Sequence, residues 1–194
     1  MCVYAAMWLC GKPYATQLKR PFRRDLVTLQ YQHCCMSFEK ENFLRTKLIG
    51  YLQRLHPSTP PRWGKMNVQQ MIEHYAGTAV RNASGRLKVE QMVTPPANLQ
   101  RMREFLMSDK PFKENTINPL LGEDPEPLQY KTVQAAIGAL QQELIYFFEA
   151  FEKEHNLVTR NPFFGELNFE ENVQLLHKHA LHHLKQFGVV PPPL

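Results

Sequence analysis

The sequence predicts an all-α protein, a four-helix bundle with a long crossover between helices two and three. Three observations lead there. Four segments carry apolar residues at helical spacing, two of them open with a reciprocal capping pattern, and no segment of similar strength alternates like a strand or offers a hairpin turn.

The first segment, 38–55, places Leu44, Leu48, Tyr51, Leu52 and Leu55 on one face, and Pro57, Pro60 and Pro61 stop it because proline lacks the amide donor. Asn67 followed by Gln70 forms a capping box ahead of Val68, Met71, Ile72, Tyr75 and Ala79, which predicts a second helix ending near Asn82. Prolines 95, 96, 111, 119, 125 and 127 then break every pattern in 85–130 except a short helical candidate at 98–107. That stretch reads either as a functional cover or, more simply, as the crossover that connects two helices. Thr132 caps a third helix with Val133, Ile137, Leu140, Leu144, Phe147, Phe148 and Phe151 in one stripe. Asn168 with Glu171 caps the fourth, and Gly188 stands where a left-handed terminator belongs.

A chain of 194 residues with 43% hydrophobic and 21% charged residues is expected to form one folded domain. No run approaches the roughly 18 apolar residues of a membrane span. Of the net charge of +5, residues 1–35 hold +4, which leaves +1 for the body and argues against nucleic acid or an anionic membrane as partner. All four cysteines, Cys2, Cys10, Cys34 and Cys35, lie in that opening stretch. The body therefore has no disulfide framework and no cysteine nucleophile, which fits a reducing compartment and makes the cytoplasm the expected location. Residues 1–35 lack periodicity, and Met36 is followed at once by an amphipathic run. They read as a non-native or disordered extension, with a basic organellar presequence as the rival reading. The domain is placed at 36–190, with a proline-rich tail at 191–194.

Five of the eight histidines lie in two helices: His74 in the second, and His177, His179, His182 and His183 in the fourth. At 100° per residue, His179 and His183 flank the face marked by Phe169, Val173, Leu176, Ala180, Leu184 and Phe187. His182 points away from that face and His177 lies on its opposite edge. Two imidazoles one turn apart can converge on one ion, and a third ligand must come from a neighbouring helix. His74, at the side of the second helix's stripe, is the candidate. An HxxxH pair also arises by chance, and histidines near a helix C-terminus can simply answer its dipole.

Two distant strings carry a family resemblance. Trp63-Gly64-Lys65-Met66-Asn67-Val68-Gln69-Gln70-Met71-Ile72-Glu73-His74 resembles the opening of helix two in a family of unknown function within the DinB/YfiT-like superfamily. Pro162-Phe163-Phe164-Gly165-Glu166-Leu167, followed by the run from His179 to Gly188, resembles the same family's closing motif. The resemblance covers about 38–189. It implies a four-helix bundle, usually dimeric, in which His74, His179 and His183 bind one divalent metal ion. Related sequences often carry a tryptophan near position 172, where this chain has Asn172.

Two functions follow from that resemblance. One is a metal-dependent thiol transferase or hydrolase acting on a small molecule, with a low-molecular-weight thiol or water as nucleophile. The other is a non-enzymatic binding or stress-associated bundle whose metal is structural or absent. No residue is assigned a catalytic role; His182 and Glu73 read either as groups supporting the ligands or as solvent-facing side chains. Histidine-only ligation suits zinc, nickel or ferrous iron and does not by itself choose among them; zinc is the modest favourite. Neither a glycine-rich phosphate loop nor a serine elbow is present.

Overall fold

Prolines and caps divide the described residues into five helices and one short hairpin. The computed structural model describes residues 38–116, 118–120, 122 and 124–192. The expectations for residues 1–35, and for the last two residues of the tail, lie outside the described residues.

Helix α1 is helical over 38–53, with a π-type stretch at Phe43–Lys47 leading into Leu48–Gln53. It stops two residues before the expected end and well short of Pro57. Helix α2 comprises Val68–His74, a π-type stretch Tyr75–Val80 and Arg81–Ala83. Its capping box is formed: the Asn67 side chain accepts from the Gln70 amide at 2.9 Å, and the Gln70 side chain accepts from the Asn67 amide at 3.0 Å. Helix α3, Pro96–Met107, begins with proline at its first position, where the missing N–H is no loss. Helix α4, Val133–Lys153, starts at Thr132, whose hydroxyl accepts from the Ala135 amide at 3.1 Å. Helix α5, Phe169–Gln186, opens with the second capping box, Asn168 and Glu171, at 3.0 Å in both directions.

One expectation is corrected: β1 (Thr159–Asn161) pairs antiparallel with β2 (Gly165–Leu167), with Thr159 opposite Leu167. The short helical candidate at 98–107 is formed and begins two residues earlier, as a helix of 12 residues.

One apolar core draws on α1, α2, α4 and α5. Phe43, Leu48, Ile72, Leu140, Phe147 and Leu176 are all within 1% of full burial, and each large side chain so buried stabilises the fold by about 1.5–3 kcal/mol. At one end of this core, Phe147, Phe148 and Phe151 of α4 meet Phe169 of α5 at ring separations of 5.4–6.3 Å. A second, smaller cluster of Leu106, Phe164, Leu167 and Leu175 joins α3 and the hairpin to α5.

Polar groups pin the irregular parts to the helices. Asn172, 1% exposed, donates to the Thr159 hydroxyl and the Leu167 carbonyl, each at 3.0 Å, and so holds both strands on α5. Asn82 donates to the Arg160 carbonyl at 2.9 Å and secures the hairpin to the end of α2. The α3 region and the residues after it are fastened along one face of α5 at intervals of about one and then two turns. Gln174 donates to the Leu106 carbonyl at 2.8 Å, and Lys178 donates to the Phe105 and Ser108 carbonyls at 2.9 and 2.6 Å. Lys185 pairs with Glu114 at 2.9 Å. The stretch 85–130 thus crosses the molecule and also covers α5 beside its histidines.

Candidate metal centre

Helix α2 brings His74 up to α5, where His179 and His183 stand one turn apart. The π-type stretch that begins at Tyr75 narrows the angle between successive side chains, and His74 and Tyr75 both face α5. Tyr75 also donates its buried hydroxyl to the Leu176 carbonyl at 2.9 Å, which ties α2 to α5 two turns before His183.

The three imidazoles that the sequence singles out are brought together. Ring centroids lie 5.5 Å apart for His74 and His179, 5.4 Å for His74 and His183, and 4.6 Å for His179 and His183. Each offers one ring nitrogen such that the three atoms lie within 4.8 Å of one another. The Nε2 atoms of His179 and His183 are 2.8 Å apart. Nitrogens around one tetrahedral zinc, with bonds of about 2.0–2.1 Å, stand roughly 3.3 Å apart. The donor set is of a kind that could hold a divalent ion.

Burial decides the charge state of these rings. Desolvation, reinforced by the neighbouring His182, lowers the pKa of His74 to about 4. Burial, then the repulsion of His74, lowers His183 to about 3 despite a hydrogen bond to Gln186 that works the other way. His179 is pushed well below 6.5, first by burial and then by His183 and His74. At neutral pH all three rings are neutral, which is the form that binds metal.

His182 and Glu73 are both partly exposed, and each also packs against a neighbour. His182 is partly buried between Trp63, at 5.5 Å between ring centroids, and Phe112, at 6.1 Å. Its pKa is lowered by burial in the first place, with a hydrogen bond to the Phe112 backbone opposing the shift. Glu73 accepts from the Gln129 and Tyr130 amides at 2.7 and 3.2 Å, so it anchors the end of the crossover. His177 is turned to the far side of α5, edge-on to Phe43 at 5.0 Å.

Sequence reasoning passed over two neighbours. Phe112, from the crossover, lies 6.0 Å from His179 and walls the site; no local pattern places it there. Gln186, 3% exposed, has its Oε1 2.9 Å from His183 Nδ1. Its signal was its position, three residues beyond His183 on the same face of the helix. Asn172 holds the hairpin and stands apart from the three imidazoles. Comparison with protein-family models, with curated proteins and with solved structures finds no match to this chain.

Proposed function

We propose that this chain is a divalent-metal-binding protein of the DinB/YfiT-like kind, a four-helix bundle of α1, α2, α4 and α5 with α3 inserted in the crossover. Its ligands are His74, His179 and His183. The observation that carries the reading is the convergence of three neutral imidazoles from two helices, one buried and two partly buried, with potential ligand atoms within 4.8 Å of one another. A chance HxxxH pair has no reason to meet a third imidazole at that distance.

Zinc is the favoured ion, since three nitrogen donors and no thiolate suit it and leave one coordination position for an exogenous ligand. A divalent ion held there supplies Lewis acidity toward a low-molecular-weight thiol or water, the basis for transferase or hydrolase action on a small molecule. The protein's part is to keep the rings neutral, to hold them on two packed helices, and to exclude water with Phe112 and the crossover. The same resemblance makes a homodimer the proposed assembly.

The test is elemental analysis of untagged full chain beside His183→Ala. About one equivalent of zinc in the wild type and less than a tenth of that in the variant is expected, given the severe loss when one of three ligands goes. Equal metal in both would remove the assignment. Conjugation of a reactive electrophile with small thiols, with and without chelator, then separates the enzyme from a non-catalytic bundle: activity that disappears with chelation supports the former.

A further inference from the structure

A pair of amide contacts lies directly behind His183. The Gln186 Nε2 donates to the Trp63 carbonyl at 2.8 Å, while its Oε1 lies 2.9 Å from His183 Nδ1. A carbonyl oxygen only accepts, so the end of the amide that faces Trp63 must be the NH2 group, and the end that faces His183 is oxygen. That oxygen also only accepts. His183 Nδ1 therefore carries a proton, and the neutral ring keeps its lone pair on Nε2, the atom 2.8 Å from His179 Nε2.

The turn that supplies the Trp63 carbonyl is fitted to this amide. Arg62 donates its backbone N–H to the Gln186 carbonyl at 2.7 Å. Gly64 has φ +77°, and a Cβ there would stand 3.0 Å from Gln186 Nε2. Gly188 has φ +82°, and a Cβ there would stand 3.2 Å from the Arg62 guanidinium. Both positions take a left-handed backbone that side chains disfavour, and at both a side chain would crowd the approach of 62–64 to the end of α5.

We propose that Gln186 is a positioning residue: it holds His183 in the Nδ1-protonated tautomer and aims the Nε2 lone pair at the ion, with the 62–64 turn fixing the amide's orientation. The consequence for metal affinity rests on the proposed metal centre. The tautomer does not, because it belongs to the metal-free protein.

The experiment uses the full chain labelled with 15N-histidine, stripped of metal, at about pH 8 where the rings are neutral. Long-range proton–nitrogen spectra, with His183→Ala for assignment, are expected to show His183 protonated on Nδ1. Gln186→Met keeps the volume and loses both contacts. It should yield averaged tautomers, and zinc affinity measured by competition with a chromophoric chelator should fall about 10–100-fold. Gln186→Glu keeps the acceptor for Nδ1–H but sets a carboxylate against the Trp63 carbonyl. It should retain the Nδ1–H signature and bind zinc within about 3-fold of wild type even as thermal stability falls. A merely structural glutamine predicts that the Glu variant binds zinc as poorly as the Met variant, and that result, or a wild-type His183 protonated on Nε2, overturns the proposal. If Gln186→Met does not fold, the wild-type tautomer and the Glu variant still decide. If the wild type takes up no zinc, the metal centre fails while the tautomer measurement continues to test Gln186.

Discussion

His177 and Tyr75 are buried polar residues with opposite accounts. The Nε2 of His177 has no hydrogen-bond partner among the described residues, and the ring is 6% exposed against the edge of Phe43. An unsatisfied buried polar atom costs about 1–3 kcal/mol, so His177→Phe, which keeps an aromatic edge contact and removes that atom, should raise stability in urea denaturation by about 1 kcal/mol. A loss of stability would mean that Nε2 has a partner. Tyr75→Phe removes a made bond instead, leaving the Leu176 carbonyl short of its donor, and should cost about 1–2 kcal/mol with no change in metal content. The same contrast explains what sequence could reveal here. The angular positions of His74, His179 and His183 follow from helical geometry alone, so the triad was legible. Gln186 was not, because its role depends on a carbonyl from a turn 123 residues away in the chain.

At the scale of elements, local chemistry was legible and tertiary docking was not. The caps at Asn67, Thr132 and Asn168 are formed as expected, because a cap needs only residues within one turn of itself. The hairpin escaped notice because its strands are three residues long, too short for alternation to register, and are held by Asn82 and Asn172 from distant helices. Lys178 is the sharper case. On an amphipathic helix a lysine reads as solvated, yet this one is 7% exposed, answers two carbonyls at the C-terminus of α3, and lies 4.7 Å from the Phe105 ring centre. Burial, the largest influence, lowers its pKa to about 8. Lys178→Met retains the apolar stem and drops two charge-assisted bonds, each worth about 1.5–3 kcal/mol. Hydrogen exchange should then accelerate at the C-terminal turn of α3 while α4, buried in the main core, keeps its protection. Uniform acceleration across both helices would show that the α3 region is not an independently fastened unit.

For the molecule as a whole, the buried histidines set how stability responds to acid. His74 and His177 are held near 4 and His183 near 3, all by burial first, while in the unfolded chain each returns to about 6.5. Between those values the unfolded chain takes up protons that the folded one refuses, so stability rises with pH across the window, is complete above about 6.5, and is lost as pH falls toward 4. Each ring contributes a slope of up to about 1.4 kcal/mol per pH unit. Metal-free protein should therefore keep a constant urea midpoint above about pH 7 and lose it steeply between about 6.5 and 4, and His183→Gln should flatten that fall. Zinc at the proposed centre would occupy the same nitrogens that protons compete for, so adding it should raise the plateau and make the acid limb steeper, since each ligand protonated would also release the ion. A midpoint that follows the same pH curve with and without zinc would show that the ion and the protons do not share these rings. The pH series thereby tests ligand identity through the stability of the whole fold, independently of metal content.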